Sequence, residues 1–171
     1  MRSGLVETYV DKNKNGARRF WVHERILCGG AILGTDDYIH LKHDFKVTGV
    51  LNVDNLQSDE GKGIEHLAYF PFPDDGNNIP AGIIHDCLDF AKSHLAADSE
   101  NILYVHCALG GSRGPSMAYA VCRGVFKLSP TTIFESIKVG HPLFIGWKET
   151  WNPKQYIQDI EEALLIWPGQ R

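Results

Sequence analysis

One cysteine and one arginine, six residues apart, are the side chains of this sequence best suited to chemistry. Cys107 ends an apolar run at 102–107, and Gly110 and Gly111 separate it from Arg113, where a helical pattern begins. A tight glycine-containing loop between a strand and a helix directs backbone N–H groups and the positive end of the helix at one point, which suits it to bind an oxyanion. Such a setting also lowers a cysteine pKa from about 8.5 into the range ~3.5 to 7.5. Cys107 is therefore predicted to be a nucleophile at neutral pH.

The guanidinium of Arg113 would complete this oxyanion site. Its planar fork can hold two oxygens of a phosphate at once, which a lysine cannot do. A Cys-x5-Arg spacing alone would arise by chance in roughly one such chain in six, so the motif takes its specificity from the strand, loop and helix around it. The backbone amides predicted to bind phosphoryl oxygens with Arg113 are those of Ala108, Leu109, Gly110, Gly111 and Ser112.

Length and composition predict one ordinary globular domain. The chain has 171 residues, of which 43% are hydrophobic and 22% charged, and its formal net charge is −4. A chain of this size buries about 70% of its unfolded surface and needs no disulfides to do so. We treat 1–171 as a single domain in which residues 1–18 could form a flexible amino-terminal arm. A mildly acidic chain has no bulk attraction for nucleic acid, so a nucleic-acid partner is not expected.

The sequence predicts a cytoplasmic protein without a membrane span. No segment approaches the ~20 apolar residues that cross a bilayer, and the amino terminus lacks the apolar run of a secretory signal. The four cysteines have neither CxxC nor framework spacing and are expected to be free thiols in a reducing compartment. Packing is the favoured role for Cys28, Cys87 and Cys122, and the alternative is a resolving thiol that protects Cys107. His40 and His43 have no third ligand in view, so no metal site is expected.

Strand patterns alternate with helical patterns along the chain. The strand patterns cover 19–28 as a pair, 47–53, 66–72 and 101–107. The helical patterns cover 35–45 with Thr35-Asp36-Asp37 as its cap, a stretch from Pro80, a stretch from Arg113, 130–139, and a last helix capped by Asn152 with Pro153 in its first position. This order predicts an α/β domain with a central, mostly parallel sheet of about five strands, helices on both faces and the cysteine loop at the carboxyl edge.

The residues His106-Cys107-x-x-Gly110-x-x-Arg113 resemble the signature of the cysteine-dependent protein tyrosine phosphatase superfamily. The short chain resembles the compact dual-specificity branch, and the likeness continues through 25–30, 49–53 and the last helix. The resemblance implies that Cys107 attacks a phosphomonoester without a cofactor or a metal. It also implies that His106 supports the loop through hydrogen bonds and lowers the pKa of the Cys107 thiol. His106 is not expected to act as a base on Cys107, because consecutive strand residues point to opposite faces.

The resemblance further implies an aspartate as proton donor, upstream of the cysteine. In this chain Phe72-Pro73-Asp74-Asp75-Gly76 supplies it. Asp75 is the match to family members with an Asp-Asp-Gly loop, and Asp74 is the alternative. The aspartate would protonate the leaving alcohol and then activate the water that hydrolyses the cysteinyl-phosphate.

One residue departs from the family pattern. The family usually has Ser or Thr directly after the arginine, where the hydroxyl assists release of phosphate from the cysteine, and this chain has Gly114. We therefore expect slow turnover and a phosphoenzyme that accumulates.

The expected substrate is phosphotyrosine, with phosphoserine or phosphothreonine as further candidates, in a phosphorylated partner protein. The loop at 108–112 contains no lysine, which disfavours a highly charged inositide or polyphosphate compared with a single phosphate. Two alternatives remain open at this point. One is an RNA 5′-phosphatase of the same superfamily, and the other is a catalytically weak phosphate-binding module.

Overall fold

The computed structural model describes residues 11–12, 18–140 and 153–171. These residues form one sheet in the strand order β1-β2-β3-β6-β4-β5. The strands are β1 (Asp11–Lys12), β2 (Arg18–His23), β3 (Ile26–Gly29), β4 (Gly49–Asn52), β5 (Leu67–Tyr69) and β6 (Leu103–His106). The pairs β3–β6, β6–β4 and β4–β5 are parallel, and β1 and β2 add two antiparallel pairs at one edge. The predicted mostly parallel α/β sheet is confirmed, and the two-residue β1 makes its strands six instead of about five.

Helices cover both faces of this sheet. They are α1 (Thr35–Asp44), α2 (Ala81–Ala97), α3 (Arg113–Gly124), α4 (Pro130–Gly140) and α5 (Pro153–Leu165), followed by a 3₁₀ turn at Pro168–Gln170. The apolar side chains of α1 join one core cluster, and those of α2, α3, α4 and α5 join the cluster on the opposite face. Every residue of α3 except Arg123 is buried, so α3 is the central helix of the larger layer.

Three parallel strands end together at the carboxyl edge of the sheet. Gly29 of β3, His106 of β6 and Asn52 of β4 are aligned in register there. All four residues of each of these strands are buried, as expected for short apolar strands covered on both faces. The loops that follow them, at 30–34, 53–63 and 107–112, therefore converge on one place.

The predicted cap of α1 is wrong. Gly34, with φ 135°, occupies the N-cap position without a side-chain cap bond, and Thr35 is already helical. Asp37 does not cap the helix because its Oδ2 accepts hydrogen bonds from the Leu33 amide, at 2.8 Å, and from Arg19. The predicted cap Asn152 lies outside the described residues. So does most of the predicted 1–18 arm, of which residues 11, 12 and 18 belong to strands.

All four cysteines are buried and free. Cys87 of α2 and Cys122 of α3 belong to the larger core cluster, as their helical spacing predicts. Burial raises the pKa of the Cys122 thiol to about 12 and raises the pKa of Cys87 further. Within the described part of the chain, no helix is both long and apolar enough to cross a membrane.

Candidate active site

The loop from Cys107 to Arg113 is pressed against the turn that follows β3. The Ala31 amide donates to the Ala108 carbonyl at 2.9 Å, and the Cys107 amide donates to the Gly29 carbonyl at 3.4 Å. Gly110 has φ 77°, and a Cβ there would lie 2.6 Å from the carbonyl carbon of Gly29. Only glycine combines this backbone conformation with such a close approach. The predicted turn in the loop is thus fixed by the neighbouring strand.

The first turn of α3 lies directly against Cys107. Cys107 is 3% exposed. A Cβ on Gly114 would lie 3.2 Å from the Cys107 amide nitrogen and 3.3 Å from its Sγ. The glycine therefore lets the helix amino terminus, with its partial positive charge, approach the sulfur closely. Pro115 is tolerated because it lies in the first helical turn.

Arg113 is 3% exposed, and its guanidinium is held along one side. Nη1 donates to Asn55 Oδ1 at 2.6 Å and to the Phe72 carbonyl at 3.0 Å, and Nη2 is 3.4 Å from Asp54 Oδ1. Nε has no hydrogen-bond partner. The N–H of Nε and one N–H of Nη2 form a single edge of the guanidinium, the edge that can grip two oxygens of an anion. Two carboxylates flank this edge, Asp54 beside Nη2 and Asp74 Oδ2 at 3.8 Å from Nε, and Nε itself makes no hydrogen bond.

The two neighbouring aspartates differ in their surroundings. Asp74 is half-buried, its Oδ2 is 3.8 Å from Arg113 Nε, and its Oδ1 has no hydrogen-bond partner. Burial raises the pKa of this carboxyl, while the charge of Arg113 and the hydroxyl of Ser112 lower it by less. Asp75 is exposed, and its Oδ1 accepts the Asn77 amide at 2.9 Å, which lowers its pKa. The structure thus brings Asp74 to Arg113 and leaves Asp75 in a surface turn.

The segment carrying Asp74 is anchored to α5 through one tyrosine. The Gly76 amide donates to Tyr156 Oη at 3.0 Å, and that hydroxyl donates to the Pro73 carbonyl at 3.3 Å. The Tyr156 ring also packs edge-on against Phe72, with ring centroids 5.8 Å apart. These contacts on both sides of Asp74 hold its segment in place.

His106 points to the opposite face of the sheet from Cys107, as strand alternation predicts. Its ring is buried and stacks on Tyr104, with centroids 5.3 Å apart. Its Nε2 lies 2.5 Å from Asp59 Oδ2, and its Nδ1 lies 3.1 Å from the Cys107 carbonyl oxygen. Asp59 in turn bonds Lys62.

Sequence reasoning missed Asp54, Asn55, Asp59 and Lys62. All four lie in the polar stretch after β4, where no periodic pattern marks them. The only signal was positional, because this stretch follows a strand whose carboxyl end shares the sheet edge with Cys107.

The residues 108–112 lie between Cys107 and Arg113, as predicted. Ser112 is buried, and its carbonyl accepts a 2.8 Å bond from the Ser116 hydroxyl in α3. Leu109 is 73% exposed and gives the loop an apolar outer surface. Among the described residues, no group of three or more His, Cys, Asp or Glu side chains could hold a metal ion.

This combination of sheet, central helix and cysteine loop is the fold of the compact dual-specificity phosphatase-like cysteine phosphatases. A structure of PTPMT1 in complex with PI(5)P superposes with TM-score 0.69 at 17% identity, over 86% of this chain and 94% of that one. Human DUSP28 has TM-score 0.67 at 18% identity, over 86% and 95%. The human tyrosine phosphatase-like serine/threonine/tyrosine-interacting protein has TM-score 0.68 at 11% identity, over 86% and 96%. Neither protein-family models nor curated protein sequences give a match.

Proposed function

We propose that the chain hydrolyses phosphomonoesters through a cysteinyl-phosphate on Cys107. The observation that carries this proposal is the buried Arg113 guanidinium at the end of the loop that begins with Cys107, with an edge on which Nε makes no hydrogen bond. A phosphate bound to that edge and to the amides of 108–112 would be held close to the sulfur. The positive charge of Arg113 would then stabilise the negative charge of the phosphoryl group during transfer.

The proposed reaction has two displacements. In the first, the Cys107 thiolate attacks phosphorus, the bond from phosphorus to the ester oxygen breaks, and a carboxylic acid gives its proton to the departing oxygen. In the second, a water attacks the cysteinyl-phosphate, the same carboxylate takes a proton from that water, and the S–P bond breaks to restore the thiolate and release phosphate. The enzyme returns to its starting protonation state, and water is the only co-reactant.

The surroundings of the two aspartates support Asp74 as this acid and base. A general acid must be protonated when the leaving group departs, and the raised pKa of Asp74 extends its protonated form to higher pH. Asp75, the residue favoured by the sequence pattern, is exposed and has a lowered pKa. The proposal therefore takes Asp74 as the donor.

We assign phosphotyrosine in proteins as the substrate, with phosphoserine and phosphothreonine as weaker ones. The exposed Leu109 beside the phosphate loop suits an aromatic ring, because such a ring buries apolar surface against it. The loop itself has no lysine for the additional phosphates of an inositide. Four free thiols support a reducing, cytoplasmic location for this reaction.

The test is hydrolysis of p-nitrophenyl phosphate, a phosphotyrosine peptide, a phosphoserine peptide, PI(5)P and a 5′-triphosphate RNA under one set of conditions. We expect the phosphotyrosine peptide to be the best natural substrate, vanadate to inhibit, and Cys107→Ser to abolish turnover. Retained hydrolysis in Cys107→Ser would reject the cysteinyl-phosphate. Preference for the RNA or for PI(5)P would reject the proposed substrate.

A second candidate function follows from Gly114. Without a hydroxyl next to the sulfur, the phosphoenzyme would lack the usual help in losing phosphate, and the chain could act chiefly as a phosphate-binding module. That function predicts tight binding of a phosphotyrosine peptide with no turnover by the parent protein. Measurable steady-state hydrolysis that is lost in Cys107→Ser selects the enzyme.

A further inference from the structure

A buried charged cluster next to Cys107 has no part in the two displacements. Asp59, which is 1% exposed, contacts His106 through Oδ2 at 2.5 Å and accepts a 2.8 Å bond from Lys62 Nζ through Oδ1. Lys62 Nζ also donates to the Ile32 carbonyl at 2.7 Å. A buried ion pair is rarely a net gain in stability over apolar residues of the same volume. This cluster therefore calls for a role other than holding the fold together.

Each ring nitrogen of His106 faces an oxygen atom of a neighbouring residue. One ring nitrogen faces the Cys107 carbonyl oxygen, which can only accept. The other faces the Asp59 carboxylate. Burial by itself would raise the pKa of Asp59, but the hydrogen bonds and charges of His106 and Lys62 outweigh burial and lower it, so this carboxylate is ionised and also only accepts. Both ring nitrogens therefore face an acceptor, and both can donate only when the ring is doubly protonated.

We propose that Asp59 is a positioning residue that holds His106 as an imidazolium behind Cys107 and so favours the thiolate. The inference rests on the proposed function, in which that thiolate attacks phosphorus. The imidazolium bonds the carbonyl of Cys107 itself, whereas Asp59 lies at the opposite nitrogen of the ring. The pair thus contacts the backbone of Cys107 through the imidazole ring, and a cation near a thiol favours the thiolate.

Other titratable groups lie on the elements around the pair and around Cys107. Tyr104 of β6 stacks on His106, and burial raises its pKa. Burial also raises the pKa of Cys28 in β3, which interacts electrostatically with Cys107. The charged groups on the remaining elements are Arg113 of α3, Asp54 in the loop after β4 and Asp74 in the segment after β5. A substitution of Asp59 leaves all of these in place and changes only the surroundings of His106 and Lys62, and the double variant with His106→Asn separates the part that acts through His106.

The first experiment measures the rate at which iodoacetate alkylates Cys107 as a function of pH, by mass spectrometry of the Cys107 peptide and without any phosphoester. In Asp59→Asn we expect the midpoint of the profile to rise by about one pH unit, which lowers the rate well below the midpoint about tenfold. Asp159→Asn is the matched control. Asp159 is also a buried aspartate that accepts a backbone hydrogen bond, from the Ile79 amide at 2.8 Å, and its substitution should leave the midpoint unchanged.

The second experiment reads His106 directly by nitrogen-15 NMR. The parent protein should show an imidazolium at pH 7, and Asp59→Asn should show a neutral ring. Asp59→Asn combined with His106→Asn should have the alkylation midpoint of His106→Asn alone, because the two residues act as one unit. A neutral His106 in the parent, or an unchanged midpoint in folded Asp59→Asn, would overturn the inference. The measurement on the parent decides the matter even where a variant fails to fold.

These readouts separate the inference from the proposed function. A parent protein that hydrolyses no phosphoester would refute the function, while the alkylation profile and the NMR spectrum would still test Asp59. An active parent whose alkylation midpoint is the same in Asp59→Asn would refute the role of Asp59 alone.

Discussion

Replacing Asp74 by Asn tests the proposed proton donor most directly. The substitution keeps the shape of the side chain but removes the proton that the departing oxygen needs. A positioned general acid contributes about 10²- to 10⁴-fold to rate. Asp74 is half-buried and 3.8 Å from the Arg113 guanidinium, so we expect a loss within this range on a phosphotyrosine peptide. Tyrosine has a pKa of about 10 and leaves poorly without a proton.

Asp75→Asn is the matched control. Asp75 is exposed, and the bond that its Oδ1 accepts from the Asn77 amide can also be accepted by an asparagine side-chain oxygen. A surface change of this kind is worth within about 0.5 kcal/mol, which is roughly a twofold change in rate. The rates of the Asp74→Asn and Asp75→Asn variants should therefore differ by more than tenfold.

The assay is kcat/KM on the phosphotyrosine peptide between pH 5 and pH 9, which reports the steps up to the first displacement even where phosphate release limits kcat, with thermal unfolding to show that both variants are folded. In the parent, activity should decline as pH rises through the raised pKa of Asp74, because the acid is lost as it ionises. Asp74→Asn should lack that decline, whereas Asp75→Asn should keep it. A large loss in Asp75→Asn together with a near-normal Asp74→Asn would refute the reasoning and restore the residue that the sequence pattern favours.

Two further predictions concern glycines in and next to the loop that begins with Cys107. Gly114→Ser should accelerate phosphate release relative to Gly114→Ala, which introduces the same Cβ 3.3 Å from the Cys107 Sγ but no hydroxyl. Burst and steady-state release of p-nitrophenol measure this, and a parent without a burst or equal rates in the two variants would contradict it. Gly110→Ala should lower the free energy of urea unfolding by about 1 to 3 kcal/mol, because its φ of 77° and the 2.6 Å approach to Gly29 both oppose a Cβ. Gly111→Ala, whose Cβ would meet nothing within 4 Å, should lower the free energy of unfolding by clearly less. Equal decreases in the two variants would contradict the effect of the close approach of Gly110 to Gly29.

The local part of the site was predictable from the sequence. Cys107, the glycines and Arg113 lie within seven consecutive positions, so strand, loop and helix signals alone bring them together. The order of strands and helices likewise predicted the sheet, because parallel strands joined by helices have few alternative arrangements. Local patterns did not predict the start of α1 correctly. The Asp37 carboxylate binds Arg19 and the Leu33 amide instead of capping the helix.

The non-local part of the site was not predictable in this way. Asp59 and His106 are 47 positions apart, and Asn55 and Arg113 are 58 positions apart, so their contacts depend on how the loops cross the sheet edge. Asp74 and its neighbour are chemically identical in sequence. Which carboxylate turns inward is decided by the course of the backbone between Phe72 and Gly76, where side chains on α5 bind it.

The tyrosine that bridges α5 to the backbone on both sides of Asp74 has a consequence for the time course of the reaction. A proton donor carried on a freely moving segment has to be ordered in every catalytic cycle, and that ordering carries an entropic cost. Here Tyr156 bonds both Gly76 and Pro73. The donor is preorganised, so pre-steady-state traces should begin with chemistry and show no slow closing phase ahead of it.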